Sequence, residues 1–368
     1  MIAGILKEHH DSRVVMVPSV AKKMLANGYE IWLEAKAGEA ASFTDAQYEA
    51  VGVKILDRAA ILTQSDLVLS INPPIDDELQ QLKEGAYSVA MYSPRANPDI
   101  TDKLAGLKVR AFSMDNIPRT TIAQSMDVLS SMASLAGYKA VLMSANYLPG
   151  YFPMLMTAAG TIPPAKVLIL GAGVAGLQAI ATARRLGATV EAFDVRAAVK
   201  EEVESLGAKF VEVEGATEDK GAGGYAVQQT EDYQRRQKEL IHERASRANV
   251  IITTANIPGR KAPILIEAAT VEAMEPGSVI IDLAAGTGGN CELTEDDQVV
   301  VKHHVTIVGD SNLPSKMAKD ASTLLSNNYF NFLKYIFKDG ALDSIDAENE
   351  IVKNTLLGLP ILAAATEG

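Results

Sequence analysis

The chain has few of the residues that build disulfide frameworks and metal centres. Its 368 residues include one cysteine, Cys291, and five histidines, four of which form two adjacent pairs. One thiol cannot form a disulfide within the chain or a thiolate cluster, and adjacent histidines lack the spacing of zinc ligands. We therefore expect neither a disulfide nor a structural metal.

The chain also lacks a long apolar run and an excess of positive charge. No uninterrupted apolar run reaches the roughly 18 to 20 residues that cross a bilayer, and Lys7 and Glu8 come too early for a secretory signal. A formal net charge of −12 opposes binding to the phosphate backbone of nucleic acid. These absences predict a cytoplasmic protein that does not bind nucleic acid.

The length and composition are those of a globular protein with more than one domain. The 368 residues exceed a single compact core. Hydrophobic residues make up 48% and charged residues 22%, so the chain has enough apolar surface to fold. Two α/β domains with a cleft are expected.

Short β-rich runs alternate with helical stretches from Met1 to about Asp115, which indicates a parallel sheet wound with helices. The predicted strands of this first unit are residues 2–6, 30–34, 54–56, 67–71, 87–91 and 109–112. A long helical pattern then runs from about Thr121 to Asn146 and is broken by Pro149 and Gly150. We interpret it as a hinge helix between the domains.

The second unit repeats the alternation with strands that are nearly unbroken apolar runs, as expected when helices cover both faces of a sheet. Its predicted strands are residues 166–170, 189–193, 249–254, 278–283 and 306–308. The polar, glycine-rich residues 215–229 are expected to form a mobile loop. A helix after Asn312 is expected to pack back on the first domain, and the apolar stretch 356–362 to dock on protein.

These patterns predict two doubly wound Rossmann-like α/β domains with parallel sheets, flanking a cleft and joined by a long helix. The first domain comprises residues 1–130 completed by 313–368, and the dinucleotide-binding domain comprises residues 131–312.

A glycine fingerprint follows the first strand of the second unit and opens a helix. Gly171 permits the tight turn, Gly173 lets the backbone approach a pyrophosphate, and Gly176 allows close packing of helix on strand, with the helix N-terminus facing the anion. The alternative is an ordinary glycine turn, but the strand-turn-helix context favours a dinucleotide site.

The residue at the end of the next strand selects between the two nicotinamide cofactors. Asp194 can accept the hydroxyl groups of an adenosine ribose and would repel a 2′-phosphate, so NAD is favoured over NADP. Arg196 opposes this preference because arginine accommodates a 2′-phosphate. It can equally be a solvated or ion-paired surface residue.

Several segments resemble the shared pattern of alanine dehydrogenases and transhydrogenase α subunits over nearly the whole chain. They are residues 157–165, the fingerprint 171–176, residues 193–198 and residues 277–284. Residues 118–131 are similar to the transhydrogenase loop named for its arginine, glutamine and aspartate, which are here Arg119, Gln124 and Asp127.

The resemblance implies roles for this loop. Gln124 would hydrogen-bond near the ring of the nucleotide held by a partner, while Arg119, Asp127 and Ser130 would hold the nicotinamide carboxamide, its ribose and its phosphate. In a helix beginning near Thr121 these polar residues would share one face. The alternative is a polar helix face in water.

The full set of expected cofactor-binding residues is drawn from this loop, the fingerprint, the strand ends and the glycine-rich loop. It comprises Arg119, Gln124, Asp127, Ser130, Gly171, Gly173, Val174, Ala175, Gly176, Asp194, Val195, Arg196, Gly223, Tyr225, Thr254, Ala255 and Leu283. Tyr225 resembles a tyrosine that closes over bound NAD(H), and the alternative is an exposed loop tyrosine. An acidic residue usual after strand 278–283 is replaced by Gly286.

Alanine dehydrogenases carry a substrate arginine, a lysine and a histidine, and this chain matches the first alone. Arg13 stands at the arginine position, while Asn72 and Ser93 stand at the other two. A keto acid would then have no partner for the proton that accompanies hydride. Transfer between two nicotinamide rings needs no such partner, so the replacements favour transhydrogenation, with Arg13 in a structural ion pair.

The resemblance implies a subunit of the Si-specific/Re-specific proton-pumping transhydrogenase. It would bind NADH and pass hydride to NADP⁺ on an NADP(H)-binding β subunit, coupled to proton movement through a membrane subunit. It would form a homodimer and lie on the cytoplasmic face of the inner membrane through its partners. The rivals are an alanine dehydrogenase-like amino-acid oxidoreductase and a non-catalytic NAD(H)-sensing module.

Overall fold

The computed structural model describes residues 1–213, 230–256, 259–337 and 345–361. The chain divides into two compact units, the first comprising Met1–Met132 and Ser315–Gly368 and the second Ala133–Pro314. Each unit contains a seven-stranded sheet with helices packed on it, so the predicted α/β class with two Rossmann-like domains is confirmed.

The sheet of the first unit contains six strands from the start of the chain and one from its end. They are β1 Ile2–Ile5, β2 Glu30–Glu34, β3 Lys54–Leu56, β4 Leu67–Leu69, β5 Tyr87–Ala90, β6 Arg110–Ser113 and β16 Leu356–Gly358. The strand order is β16-β6-β5-β4-β1-β2-β3. The first six strands along the chain are mutually parallel, and β16 pairs antiparallel with β6. The six parallel strands lie where the apolar runs predicted them; the edge strand β16 was not predicted.

The helices of the first unit include five short helices between the strands and two near the end of the chain. They are α1 Pro18–Ala26, α2 Asp45–Glu49, α3 Arg58–Gln64, α4 Asp76–Leu79, α5 Ile100–Gly106, α11 Ala318–Ile336 and α12 Glu350–Thr355. Helix α11 returns to the first unit, where Phe332 packs edge-on against Phe112 at 5.5 Å between ring centroids.

The sheet of the second unit is preceded by a hairpin of β7 Leu155–Thr157 and β8 Gly160–Ile162. Its strands are β9 Lys166–Leu170, β10 Thr189–Phe193, β11 Lys209–Val211, β12 Val250–Thr253, β13 Val279–Asp282, β14 Val299–Lys302 and β15 Val305–Val308. The order is β11-β10-β9-β12-β13-β15-β14, with β14 antiparallel at the edge. The helices are α7 Val174–Arg185, α8 Lys200–Ser205, α9 Glu231–Ala245 and α10 Ala268–Glu272. The hairpin, β11 and β14 were not predicted.

The central strand β9 shows why its sequence is an unbroken apolar run. Val167 and Ile169 belong to one hydrophobic core, whereas Leu168 and Leu170 belong to a second. Successive side chains of a strand point to opposite faces. Both faces of β9 are therefore covered, as the sequence indicated.

The long helix α6 spans Val128–Tyr147, and the boundary between the units falls inside it. The predicted end is right, but the predicted start near Thr121 is wrong, because a separate 3-10 turn occupies Gln124–Met126. By length and composition α6 is the one helix in the described ranges that could cross a membrane, with a third of its apolar window buried. A single such helix is weak evidence, since core helices share this composition.

Candidate functional site

The fingerprint turn between β9 and α7 requires glycine at two positions for the protein's own packing. Gly171 has φ +104°, and a Cβ there would clash with Oγ1 of Thr254. A Cβ on Gly176 would clash with the carbonyl oxygen of Gly171. The first and third glycines thus close the turn and bring the helix onto the strand, as expected from their spacing.

Gly173 differs from its two neighbours in the fingerprint. Its φ of −80° is open to any residue, and a Cβ there would meet no atom within 4 Å. Gly173 is the N-cap of α7, and it forms no side-chain cap for this 12-residue helix. The space above Gly173 and the N-terminal amides of α7 fit the approach of an anion such as a pyrophosphate.

Helix α6 holds the first turn of α7 from another side. A Cβ on Gly137 would clash with the carbonyl oxygen of Ala175, so the two helix backbones touch at this point. Val174 is exposed and Ala175 is half-buried. Both residues therefore lie in a turn whose backbone position is set by close packing.

Asp194 ends β10 beside the fingerprint, as predicted. Its carboxylate accepts hydrogen bonds from the backbone N–H of Ala172 at 2.8 Å and of Arg196 at 2.9 Å. It also accepts from the Arg196 side chain, with Nε at 2.9 Å and Nη2 at 2.7 Å. These hydrogen bonds to Asp194 raise the pKa of Arg196.

The Asp194–Arg196 pair was not foreseen, although each residue was expected at the site. Arg196 occupies the carboxylate oxygens to which a ribose would bind, so a nucleotide has to share or displace that contact. Val195, between them, is half-buried and packs against the second hydrophobic core; it contributes packing as well as backbone.

Thr254 and Ala255 follow β12 and lie against the fingerprint. Oγ1 of Thr254 donates to the carbonyl oxygen of Gly171 at 2.9 Å. The backbone N–H of Ala255 donates to Oδ1 of Asn290 at 3.0 Å, and Nδ2 of Asn290 donates back to the Ala255 carbonyl at 2.9 Å. The buried amide of Asn290 thus fixes the segment that contacts Gly171.

The carboxylate of Asp282, at the end of β13, organises the next loop. It is fully buried and accepts from two side-chain hydroxyls and three backbone N–H groups. The donors are Thr253 Oγ1, Thr294 Oγ1, Ala284 N, Asn290 N and Cys291 N, at 2.8 to 3.0 Å. Leu283 follows directly and packs against the first core of this unit.

Sequence reasoning missed Asp282 and Asn290 as site-forming residues. The available signal was a carboxylate ending an apolar strand, which burial alone does not favour. Cys291 lies in the same loop, where burial raises the pKa of its thiol to about 11. This thiol is therefore protonated and unreactive at neutral pH.

The loop containing Arg119, Gln124 and Asp127 belongs to the first unit. Asp127 has an extended backbone, and its carboxylate accepts from the backbone N–H of Ser130 at 2.9 Å and from its Oγ at 2.6 Å. Asp127 therefore caps α6. The expectation that Gln124, Asp127 and Ser130 share one helix face is wrong, because the helix begins after Asp127.

The structure still brings Asp127 and Ser130 together, and it leaves Gln124 and Arg119 exposed. In the second unit it brings together the fingerprint, Asp194, Thr254 and Ala255. Gly223 and Tyr225 lie outside the described residues. Among those residues, no group of three histidine, cysteine, aspartate or glutamate side chains is arranged to hold a metal ion.

The positions compared with alanine dehydrogenase also lie in the first unit. Arg13 is buried and its guanidinium pairs with Asp11, which also accepts from Ser315 Oγ at 2.9 Å. The side-chain amide of Asn72 donates to Glu8 at 2.9 Å, and the backbone N–H of Ser93 donates to Asp115. Arg13 is thus held in an ion pair.

Comparison with known proteins places these features in a family. The sequence profiles described as alanine dehydrogenase/PNT, N-terminal domain and C-terminal domain match residues 4–136 and 140–359. In Rhodospirillum rubrum, the first of the polypeptides named NAD(P) transhydrogenase subunit alpha is 46% identical over 354 residues, which cover 94% of this chain and 92% of the relative.

Two solved structures share the fold. The transhydrogenase from Sinorhizobium meliloti has 40% identity and a TM-score of 0.88, over 97% of this chain and 98% of that chain. An L-alanine dehydrogenase has 22% identity and a TM-score of 0.81, over 99% and 98%. The resemblance found in the sequence is confirmed, and it supports an oxidoreductase role. Two profiles that together span most of the residues, with a relative at 46% identity along nearly its whole length, show that the chain belongs to the alanine dehydrogenase/PNT family of NAD(H)-binding dehydrogenases and transhydrogenases.

Proposed function

We propose that this chain is the NAD(H)-binding subunit of a proton-translocating transhydrogenase of the Si-specific/Re-specific type. The observation that carries the proposal is a complete fingerprint turn in a chain that has Asn72 and Ser93 at the lysine and histidine positions of alanine dehydrogenases. Such a site holds the dinucleotide but has no acid-base pair for a keto acid. The 46% identity to a transhydrogenase subunit alpha polypeptide supports the same choice.

The second unit, taken by sequence as residues 131–312, is proposed to bind NAD(H). The N-terminal amides of α7 and the open space at Gly173 receive the pyrophosphate, and Asp194 accepts from the adenosine ribose. Val174, Ala175, Val195, Arg196, Thr254, Ala255 and Leu283 complete the set, with Gly223 and Tyr225. Asp194 favours NAD over NADP because a 2′-phosphate would face a carboxylate.

Bound NADH supplies a hydride, which consists of two electrons and one hydrogen nucleus, to NADP⁺ on the partner subunit. No proton is exchanged with the chain in that step, so its residues act by orientation. Arg119, Asp127 and Ser130 are proposed to hold the nicotinamide carboxamide, its ribose and its phosphate. Gln124 sets the position of the partner-held ring.

The Asp127–Ser130 contact supports this assignment. Because each carboxylate oxygen already accepts a hydrogen bond from Ser130, the side chain of Asp127 is held in one orientation before any ligand arrives. A preorganised group loses less conformational entropy on binding. The N–H and hydroxyl of Ser130 are fixed by the same contact.

The partners in this proposal are an NADP(H)-binding β subunit, a transhydrogenase membrane subunit and a second copy of this chain. The subunit would lie on the cytoplasmic face of the inner membrane and meet the membrane only through those partners. Proton translocation is then a property of the assembled complex.

The test is reduction of an oxidised NAD analogue by NADPH, with the purified chain mixed with transhydrogenase partner subunits that lack their own α subunit. Exchange that requires both components is expected. Tight NADH binding without exchange would instead favour an NAD(H)-sensing module. Pyruvate reduction by NADH with ammonium, by the chain alone, would identify an alanine dehydrogenase-like enzyme.

A further inference from the structure

Two asparagines of helix α11 donate to one carbonyl in the loop that contains Gln124. Nδ2 of Asn328 lies 2.9 Å from the carbonyl oxygen of Ser125, and Nδ2 of Asn331 lies 3.1 Å from the same atom. Residues three apart on a helix share a face, so the two amides reach one acceptor. Ser125 is the residue directly after Gln124, and all four residues belong to the first unit.

The rest of the 3-10 turn is anchored by burial. Ala123 and Met126, on either side of Gln124 and Ser125, are buried, whereas Gln124 and Ser125 are exposed. The backbone N–H of Met126 donates to the carbonyl of Ala123 at 2.9 Å. The turn is therefore fixed at its ends and at the Ser125 carbonyl, while the Gln124 side chain faces solvent.

Asn328 is unfavourable as a purely structural residue. Its exposed fraction is 6%, and among the described residues its Oδ1 has no hydrogen-bond partner. A buried acceptor without a donor costs free energy of folding, whereas an apolar side chain of similar size would avoid that cost. The neighbouring Asn327 behaves differently, since its Nδ2 donates to Thr323 within α11.

We propose that Asn328 and Asn331 are positioning residues for hydride transfer, which act by fixing the turn that presents Gln124. This inference rests on the proposed transhydrogenase function. The asparagines contact the loop backbone and take no part in holding NAD(H). Their loss therefore slows transfer at saturating nucleotide and leaves the affinity for NADH unchanged.

The test compares Asn328→Leu, Asn331→Leu and the double variant with Asn327→Leu as a matched control on the same helix. NADPH-dependent reduction of the NAD analogue is measured with the partner subunits at saturating nucleotide, together with NADH affinity and the melting temperature. We expect the double variant to lose about tenfold or more in rate, because small displacements of a positioning group have large kinetic effects. NADH affinity and melting temperature stay at the wild-type values, and the control retains its rate.

Each other outcome has a defined meaning. A double variant as fast as Asn327→Leu overturns the inference. A parallel loss of rate, NADH affinity and melting temperature also overturns it, since that is the signature of a structural residue. If the wild-type chain itself shows no exchange with its partners, the proposed function fails first and the inference fails with it.

Discussion

At the scale of the residue, the first unit buries several charges at the carboxyl edge of its sheet. Glu8 accepts from the backbone N–H of Ile71 at 2.6 Å, and burial raises the pKa of its carboxyl. Burial would also raise the pKa of Asp11, but hydrogen bonds and the positive charge of Arg13 hold it below its ordinary value of 3.8. Asp11 therefore stabilises the fold in its charged form.

Asp11→Asn is expected to lower the free energy of unfolding at pH 7 by about 3 to 5 kcal/mol, because it leaves the buried Arg13 without a counter-charge. The pKa of Asp11 is depressed in the folded state, so its contribution is present above the unfolded pKa of 3.8 and is lost as pH falls through the folded value. Urea denaturation at pH 7 and near pH 3 measures the difference.

The control is Asp76→Asn, which removes an ion pair with Lys103 in which both side chains are 50% exposed. Exposed pairs contribute about 0 to 1 kcal/mol, so a small loss is expected. Equal losses in the two variants, or a loss at Asp11 that does not diminish at low pH, would contradict the prediction.

Asp194→Ala is expected to weaken NADH binding by about 1.5 to 3 kcal/mol, the contribution of a charge-assisted hydrogen bond to the ribose. It also removes the acceptor of the Ala172 N–H, so Asp194→Asn, which keeps one acceptor oxygen, serves as the comparison. Fluorescence titration with NADH and NADPH measures both affinities. An unchanged NADH affinity would show that the ribose is held elsewhere.

At the scale of the element, the interior strands could be predicted and the edges could not. Runs such as 166–170 are apolar throughout because helices cover both faces. The edge strands have weaker patterns: Val299 and Val301 of β14 are exposed, and β16 is three residues long. Their pairing depends on distant partners, as in Leu357 opposite Ala111, which local sequence does not encode.

The start of α6 was missed for a local reason. Apolar spacing continues upstream of Val128, but Asp127 turns its carboxylate onto Ser130 and caps the helix there. Aspartate is a favoured N-cap residue, so the signal was present in the sequence. The Asn328–Ser125 contact, between residues far apart in the chain, had no such local signal.

The fingerprint turn makes opposite predictions for two of its glycines. Gly176→Ala places a methyl group against the Gly171 carbonyl, and overpacking of this kind costs about 1 to 3 kcal/mol. Gly173→Ala meets no protein atom within 4 Å, so the fold should be retained. Its NADH affinity should fall by roughly tenfold or more, because the methyl group stands where the pyrophosphate approaches.

Thermal denaturation and NADH titration of the two variants separate these effects. Gly106→Ala, at a helical position whose Cβ also meets nothing within 4 Å, is the control and should change neither quantity. Full NADH affinity in Gly173→Ala would show that the pyrophosphate does not approach this turn.

At the scale of the whole molecule, the first unit is discontinuous in sequence. Its sheet is completed by β16, and its core contains Tyr329, Phe332 and Leu333 of α11, all fully buried. The second unit is one continuous segment with its own two cores. The two units should therefore respond differently to removal of the C-terminal segment.

Truncation after Pro314 is expected to unfold the first unit and to leave the second folded. The chain has one tryptophan, Trp32 of β2, which is buried in the first unit. Its emission should shift to longer wavelength on truncation, while limited proteolysis should leave a fragment close to residues 133–314. Unshifted Trp32 emission in the truncated chain would show that the first unit folds without α11 and β16.

The discontinuity of the first unit also sets an order of events on the ribosome. Residues 133–314 leave the exit tunnel as a complete set, whereas the open edge of β6 waits for the last segment of the chain. At about 5 to 20 residues per second, that wait lasts roughly ten to fifty seconds. The nascent protein thus presents an unpaired strand to solvent until synthesis ends, which makes this edge the place where a chaperone would protect it from aggregation.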